Sequence, residues 1–518
     1  MAGHHSNARQ ICERLSISGE LQLTTPAHFG NGQARSEALV DMALLMDDAD
    51  GVSRALIPGA TIAGALRNYL REWLLGYTPE ESNTDITSII THLFGPPRQA
   101  REQSEETGEP IRWEQSLLLV DDALARIESQ ARTLRDGVRI DPRTGIGLVE
   151  QQGDDQEAGA KFDVELLEAG AIFDLHFDLL LTEKHSAEAL LPYVVAALQG
   201  LENKEIRLGL RKRRGYGQCQ VRSWTVSHYN WRLPADLCAW LETPTLMHRA
   251  EARSGPQIAQ VLQVKPPQHE DQRCQFSLSA TFGLDGSSVL IRSGFGEADN
   301  GPDMEHLHAL NAAGKRVPVI SGTSWAGIMR HRALRIVNTL AGDNTDSVEK
   351  AIQLISRLFG DMSKAMVRPK ASRVTVDETE IRYGQHFYQT RVRIDRFTGG
   401  AFPTRLFEQA PVYGRPETVI DFALHVRDPQ EHEIGLLLLV LKDLWTSDLP
   451  IGGEASVGRG RLQGIHARLN LPDHQWIELT QVQPALGISS EQRALLQAHV
   501  KALCNYLQPA SEEAHGTL

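Results

Sequence analysis

The sequence predicts an α+β protein made of two tandem ferredoxin-like modules, the split βαβ arrangement read twice. Two observations carry this. Three pairs of matching segments occur in the same order in the two halves of the 518-residue chain, and each half reads strand, helix, strands, helix, strand. Ile57–Arg67 and Ile320–Arg330 share Ile, Gly, Ala, Gly and Arg without a gap. Val138–Gly145 and Val392–Gly399 agree at six of eight positions, and Leu208–Gly217 and Ile451–Gly460 share three glycines. The offsets between partners, 263, 254 and 243 residues (57 to 320, 138 to 392, 208 to 451), shrink steadily, as trimmed loops in the second copy would make them.

The elements follow in order. Alternation of apolar and polar residues predicts an opening strand at Leu15–Leu23 and again at Phe276–Phe282. A glycine-bearing stretch and a polar loop follow. A turn then enters a helix at Thr61–Leu75 and at Ser324–Leu340. Later strands are expected at Ile172–Leu180 and Val419–Val426, second helices at Ala187–Leu201 and Glu433–Leu444, and closing strands at Gln218–Val221 and Arg461–Ile465. Ser489 with Gln492 fits the capping box of a terminal helix, Glu491–Tyr506. The expected organisation is a first module at 1–226, a connector at 227–272 rich in Pro and His, a second module at 273–470, and a helical extension at 471–518.

Composition narrows the function. The net charge of −13 argues against a uniformly basic nucleic-acid coat but leaves room for a local basic groove. Five cysteines, none at CxxC spacing, disfavour a disulfide framework or a zinc ribbon and fit a reducing cytoplasm. Residues 1–14 lack the apolar core of a signal peptide. The longest apolar run, Leu436–Leu441, is far shorter than the roughly 20 residues a bilayer requires, so no membrane partner is expected.

Several residues carry candidate chemistry. Gly59 and Gly322 stand at helix starts, where free N–H groups favour an anion and glycine allows close approach. Arg67 and Arg71 lie one turn apart on the first helix, with Arg330, Arg332 and Arg335 on the second. These read equally as an RNA-backbone clamp or as a tight turn with a solvated basic face. The loop Gly209–Gly217 holds four consecutive cations, Arg211, Lys212, Arg213 and Arg214, and Tyr216, which suit phosphate contact and base stacking. Its partner Gly452–Gly460 keeps the glycines but carries Glu454 and only Arg459. Asp141 and Asp395, each followed by Thr and Gly, suit turn-capping better than metal binding. Asp41 and Asp303 begin Asp-Met pairs 18 and 19 residues before Gly59 and Gly322. A carboxylate there is able to position a divalent ion near a phosphate, although surface aspartates are common. His28 is a conceivable general base or a structural histidine.

Taken together, these segments resemble the CRISPR-associated RAMP superfamily, the backbone proteins of type III RNA-guided effector complexes. Its "IPGSSLKGALR"-like turn is matched at Ile57–Arg67 and more loosely at Ile320–Arg330. Its "R-x-I-D-R-x-T-G" segment and C-terminal glycine loop each occur twice. The resemblance spans nearly the whole chain except the connector and the terminal helix. A fused pair looks like the two-module backbone subunit of type III-D-like variants. The resemblance implies RRM-like modules with inserted thumb loops, stacked along a crRNA beside other type III subunits and crossing the guide–target RNA duplex. It also implies cleavage of target RNA with Mg²⁺ or another divalent metal at an Asp ahead of the "IPG" turn, in a "V-D" context. Val40-Asp41 matches this pattern, making Asp41 the implied catalytic and metal residue. Asp303 follows Pro302 instead of Val, and the "IPG" proline is replaced by Ser321, implying a looser second turn. Two other readings stay open: a scaffold without catalysis, and a guide-processing endonuclease using His28.

Overall fold

A computed structural model of the chain describes residues 10–30, 42–48, 51–77, 84–96, 115–138, 140, 150–152, 156–158, 161–243, 247–249, 251–284, 287–292, 301–361, 370–482 and 485–508. The first module contains β1 (Ile11–Leu23), β2 (Arg54–Ile57), α1 (Gly59–Leu75), α2 (Thr84–Phe94), β3 (Leu118–Val120), a hairpin of β4 (Arg132–Val138) with β5 (Lys161–Leu167), β6 (Ile172–Thr182), α3 (Ala187–Glu202) and β7 (Cys219–Asn230). Between the repeats come α4 (Pro234–Glu242), β8 (Arg253–Gly255) and α5 (Ile258–Leu262). The second module contains β9 (Gln275–Gly283), β10 (Met304–Glu305), β11 (Arg316–Ile320), α6 (Gly322–Ala341), α7 (Thr345–Phe359), β12 (Val374–Val376), β13 (Thr379–Arg382), a hairpin of β14 (Gln389–Ile394) with β15 (Ala401–Ala410), β16 (Val419–Arg427), α8 (Glu431–Trp445), β17 (Gln463–Asn470) and β18 (Trp476–Val482). The terminal helix α9 (Ser490–Leu507) starts at the Ser489–Gln492 capping box.

Each module closes the same antiparallel sheet. The first has the order β8-β7-β1-β6-β3, and the second has β18-β17-β9-β16, with β12 and β13 both pairing with the outer edge of β16. The opening strand is central, between the last strand and the strand that precedes the second helix, which is the ferredoxin-like order. Register repeats as well: Val120 faces Phe177 across the first sheet as Val376 faces Leu424 across the second. The first helices bury matching positions, Gly59, Ile62, Leu66, Leu70 and Leu74 against Gly322, Trp325, Met329, Ala333 and Val337, a constant offset of 263. That i, i+3/i+4 stripe seals each sheet.

The structure adds to the sequence reading and corrects the expectation of a looser second turn. The exchange of Pro58 for Ser321 does not loosen the second turn. Both residues keep the same extended backbone, and the Ser321 hydroxyl accepts from the Ser324 N–H as a true N-cap. Helices α2 and α7 were not anticipated. They pack beside α1 and α6, and α7 buries Ala351, Leu354, Ile355, Leu358 and Phe359. Between the repeats, β8 pairs with the edge of β7, and Ile258 and Val261 enter the first module's core.

The second module buries His306 deeply. His306 is 1 % exposed; its Nδ1 accepts from the Ile291 N–H at 3.1 Å and its Nε2 donates to the Val319 carbonyl at 3.0 Å. The ring is satisfied when neutral, and burial pushes its pKa down to about 3. The unfolded chain therefore binds an extra proton between the ordinary histidine value and about 3. Stability due to His306 is full above about pH 6.5 and is lost as pH falls through that window, at up to roughly 1.4 kcal/mol per pH unit. Urea unfolding of wild type and His306→Gln at pH 7 and pH 5 should show a steeper pH loss in wild type. Parallel losses would refute it.

Candidate nucleic-acid interface

The two glycine loops are conformational copies. Gly209, Arg211, Gly215 and Gly217 have φ of 88°, 55°, 85° and 73°; Gly452, Glu454, Gly458 and Gly460 have 90°, 58°, 87° and 74°. A Cβ at Gly217 would fall on the Leu208 carbonyl, and one at Gly460 on the Ile451 carbonyl, so both positions need glycine for space as well as for φ.

The first loop is wedged between the modules. Gly215 lies against the Glu378 backbone, and the Arg214 carbonyl lies against Gly322. Arg207 pairs with Asp377 at 2.6 Å. Arg135, at the base of the first hairpin, forms a bidentate pair with Glu378; the two side chains are 5 % and 6 % exposed. Residues 207 and 135 drew no attention in the sequence. The signal available was a fourth repeat, Val120-Asp121-Asp122 with Val376-Asp377-Glu378.

The wedge brings cations from both modules together. Arg211 stacks over the Phe162 ring at 4.6 Å. Lys212, Arg213 and Arg214 form a 3₁₀ turn, and Arg330 stands exposed on α6, near enough to Arg214 for repulsion. Among the described residues, none of these five has a carboxylate within ion-pair reach. Desolvation lowers the proton affinity of Arg211, Lys212, Arg213 and Arg214. Repulsion from Arg213 adds to this at Lys212, and repulsion from Arg211 and Arg330 adds to it at Arg214. Arg427 adds repulsion at Lys212 and Arg213, and Glu72, which Arg427 holds in an ion pair, offsets part of it. A crowded cluster with a cationic excess favours a polyanion. Arg71 is half-buried on α1, with no ionic partner among the described residues, and Arg335 is exposed on α6.

Other candidates have structural roles. Tyr216 is 3 % exposed, packed with Val164 and Leu166 beneath the Arg135 guanidinium, and cannot stack on a base. Gly59 donates its N–H to Asp122 at 2.6 Å and abuts the Val120 carbonyl; Gly322 abuts Arg214. Both glycines serve backbone contact instead of a phosphate. Arg67 donates to the Phe94 and Gly95 carbonyls and closes the end of α2. Arg332 is held by Asp443 at 3.1 Å. Arg459 is 4 % exposed, bound to Glu454 at 2.8 Å and to Gln389 and Gln409. Sequence alone could not separate these buried arginines from the free ones. His28, 3 % exposed, has its Nδ1 2.7 Å from the Glu165 carbonyl, as a structural histidine would.

The Asp-Met pairs converge on one position. Met304 pairs in parallel with Gln409 on β15, and Met42 pairs in parallel with Val164 on β5. Asp303 is exposed at the foot of the second hairpin, its Oδ2 accepting from the Glu408 N–H at 2.9 Å. Asp41 lies outside the described residues, as do Arg139 and Asp141. Asp395 accepts from the Phe397 and Thr398 N–H groups, which is the turn-capping role. Among the described residues, no three His, Cys, Asp or Glu side chains gather to hold a metal. Mg²⁺ in general takes one or two carboxylates and completes its shell with phosphate oxygens and water.

Twin ferredoxin-like sheets, each with an inserted hairpin and a glycine loop, and a cation cluster at their junction define a tandem module of the RNA-recognition type of fold. The chain belongs to the RAMP superfamily, whose family model matches residues 20–220 and 287–463, one region in each module. Proteins of this superfamily typically bind RNA within multi-subunit CRISPR complexes, and some are ribonucleases. No curated protein matches the chain. Among the described residues, no helix is long and apolar enough to cross a membrane.

Proposed function

We propose that this chain is a cytoplasmic backbone subunit of a type III CRISPR effector, one that holds crRNA across its module junction and cleaves complementary target RNA. The observation that carries the RNA-binding reading is the cluster of Arg211, Lys212, Arg213, Arg214 and Arg330, drawn from both modules and held in no ion pair among the described residues. Base pairing supplies sequence specificity, while these cations read backbone charge. Their concentration at one junction explains how a chain of net charge −13 serves a polyanion.

For cleavage, Asp41 and Asp303 are the proposed catalytic carboxylates: the 2′-hydroxyl oxygen bonds to the scissile phosphorus as the in-line bond to the 5′-oxygen breaks, the hydroxyl proton passing to water and the 5′-oxygen taking one from water, which leaves a 2′,3′-cyclic phosphate. A bound divalent ion would acidify that hydroxyl and offset charge on the phosphate. Asp303 is oriented by the Glu408 N–H through Oδ2, leaving Oδ1 without a protein partner among the described residues. Asp41 has the matching Asp-Met context in the first module. The guide-processing alternative loses ground because His28 is buried and its Nδ1 is engaged.

The binding reading is tested by the salt dependence of guide binding. Single-stranded RNA affinity falls with salt at a slope of about 0.7 per neutralised phosphate. Replacing Lys212, Arg213 and Arg214 with Ala should reduce that slope by about 2. Arg459→Ala, removing a buried arginine, should leave the slope unchanged in protein that remains folded. An unchanged slope in the triple variant would refute the junction as the RNA site.

A further inference from the structure

The internal junction has a repeat-related face at each end of the chain, and those two faces do not match each other. At one end, the register that equates Val120 with Val376 puts Asp121 at the place of Asp377 and Asp122 at that of Glu378. Both aspartates are exposed. Asp122 caps the Gly59 N–H, and Asp121 has no ionic partner among the described residues. At the other end, the second glycine loop presents Ala455, Ser456 and Val457 where the first presents Lys212, Arg213 and Arg214. Val457 is 62 % exposed, and a Cβ on Gly458 would meet nothing, whereas Gly215 is pressed on Glu378.

The free loop has also lost the two arginines that hold the internal junction. Arg207 corresponds to Pro450 under the 243-residue offset, and Arg135 to Gln389 under the 254-residue offset. Gln389 is committed, accepting from Arg459 at 2.9 Å. Head-to-tail docking of a second copy would therefore press two aspartates against Ala, Ser and Val with no guanidinium at the places of Arg207 and Arg135. Desolvating an unpaired carboxylate is unfavourable, and such a mismatch is how interfaces reject wrong partners.

We propose that the acidic face of the first module, Gly59 with Asp121 and Asp122, docks an arginine-bearing glycine loop from a different protein chain. Pro450 and Gln389 keep the protein from stacking on copies of itself. The internal junction is the template for the docked geometry, and charge complementarity selects the partner. The chain therefore fills one position in an assembly, bounded by unlike neighbours, instead of polymerising.

Sedimentation velocity of the full-length, RNA-free protein over a wide concentration range tests this. Wild type should sediment as one concentration-independent species. A variant with Pro450→Arg, Ala455→Lys, Ser456→Arg and Val457→Arg rebuilds the cationic loop without touching the buried Gln389–Arg459 contact. It should self-associate at least tenfold more tightly, and Asp121→Arg in the same chain should reverse this. Circular dichroism matching wild type establishes that the variant is folded. Three results would overturn the proposal: wild-type oligomers that Asp121→Arg dissolves, a folded rebuilt variant that stays monodisperse, or association in either protein that ignores Asp121→Arg.

Discussion

Replacing Glu378 with Ala is expected to destabilise the chain by about 3–5 kcal/mol, the cost of breaking a buried ion pair from one side. The Arg135 guanidinium would be left 5 % exposed between the modules, and its Nε already lacks a hydrogen-bond partner. Glu168 also lies in this pocket, 6 % exposed, but burial raises its pKa and its carboxylate already accepts from the Leu310 N–H. It is a poor substitute for a bidentate partner. The double change Arg135→Met with Glu378→Leu removes both charges at similar volume and should lie near wild type, because apolar replacement of a buried pair is often neutral. Urea denaturation followed by tryptophan fluorescence distinguishes the two. A loss below about 1 kcal/mol for Glu378→Ala would show the junction to be hydrated and open. The experiment also asks whether the modules unfold together, since this pair joins the first module's hairpin to the turn that supports α6.

Asp41→Ala and Asp303→Ala should each abolish one cut in a complementary target RNA, lowering its rate on the order of 10²–10³-fold, as loss of a preorganised electrostatic group does. The assay uses the assembled complex with labelled target and Mg²⁺, resolving products by length. Two cuts, each lost in one variant, fit two equivalent sites. If only Asp41→Ala removes a cut, the second module has kept the frame without the chemistry, in line with its Pro302 and its neutral glycine loop. Survival of every cut in both variants would end the catalytic assignment. Guide binding should be unchanged in both, since neither carboxylate belongs to the cation cluster.

Much of the fold was legible because repetition is a pattern property. The alternation of β1 and β9, the matched stripes of α1 and α6, and the glycine spacings survive divergence because sheet faces, helix faces and left-handed turns restrict residue type at fixed intervals. Helices α2 and α7 lie outside the three matched segment pairs, so the repeat does not mark them. The site was half legible. The four-cation loop was visible as a charge run. The packing of Arg67, Tyr216 and Arg459 was not legible, because a motif position does not reveal what lies opposite it.

The sequence by itself determined that one module occurs twice, in what order its elements run, and that the copies differ in the charge of their glycine loops. Only the tertiary structure decided what that loop does. It is wedged against the other module, so that Gly215 meets Glu378 and Gly322 meets the Arg214 backbone. The physical reason is that local patterns report the short-range constraints on each segment. Whether an arginine is a free cation or a buried strut depends on which carboxylate the fold brings within reach, and those partners lie as far apart in sequence as Arg135 and Glu378.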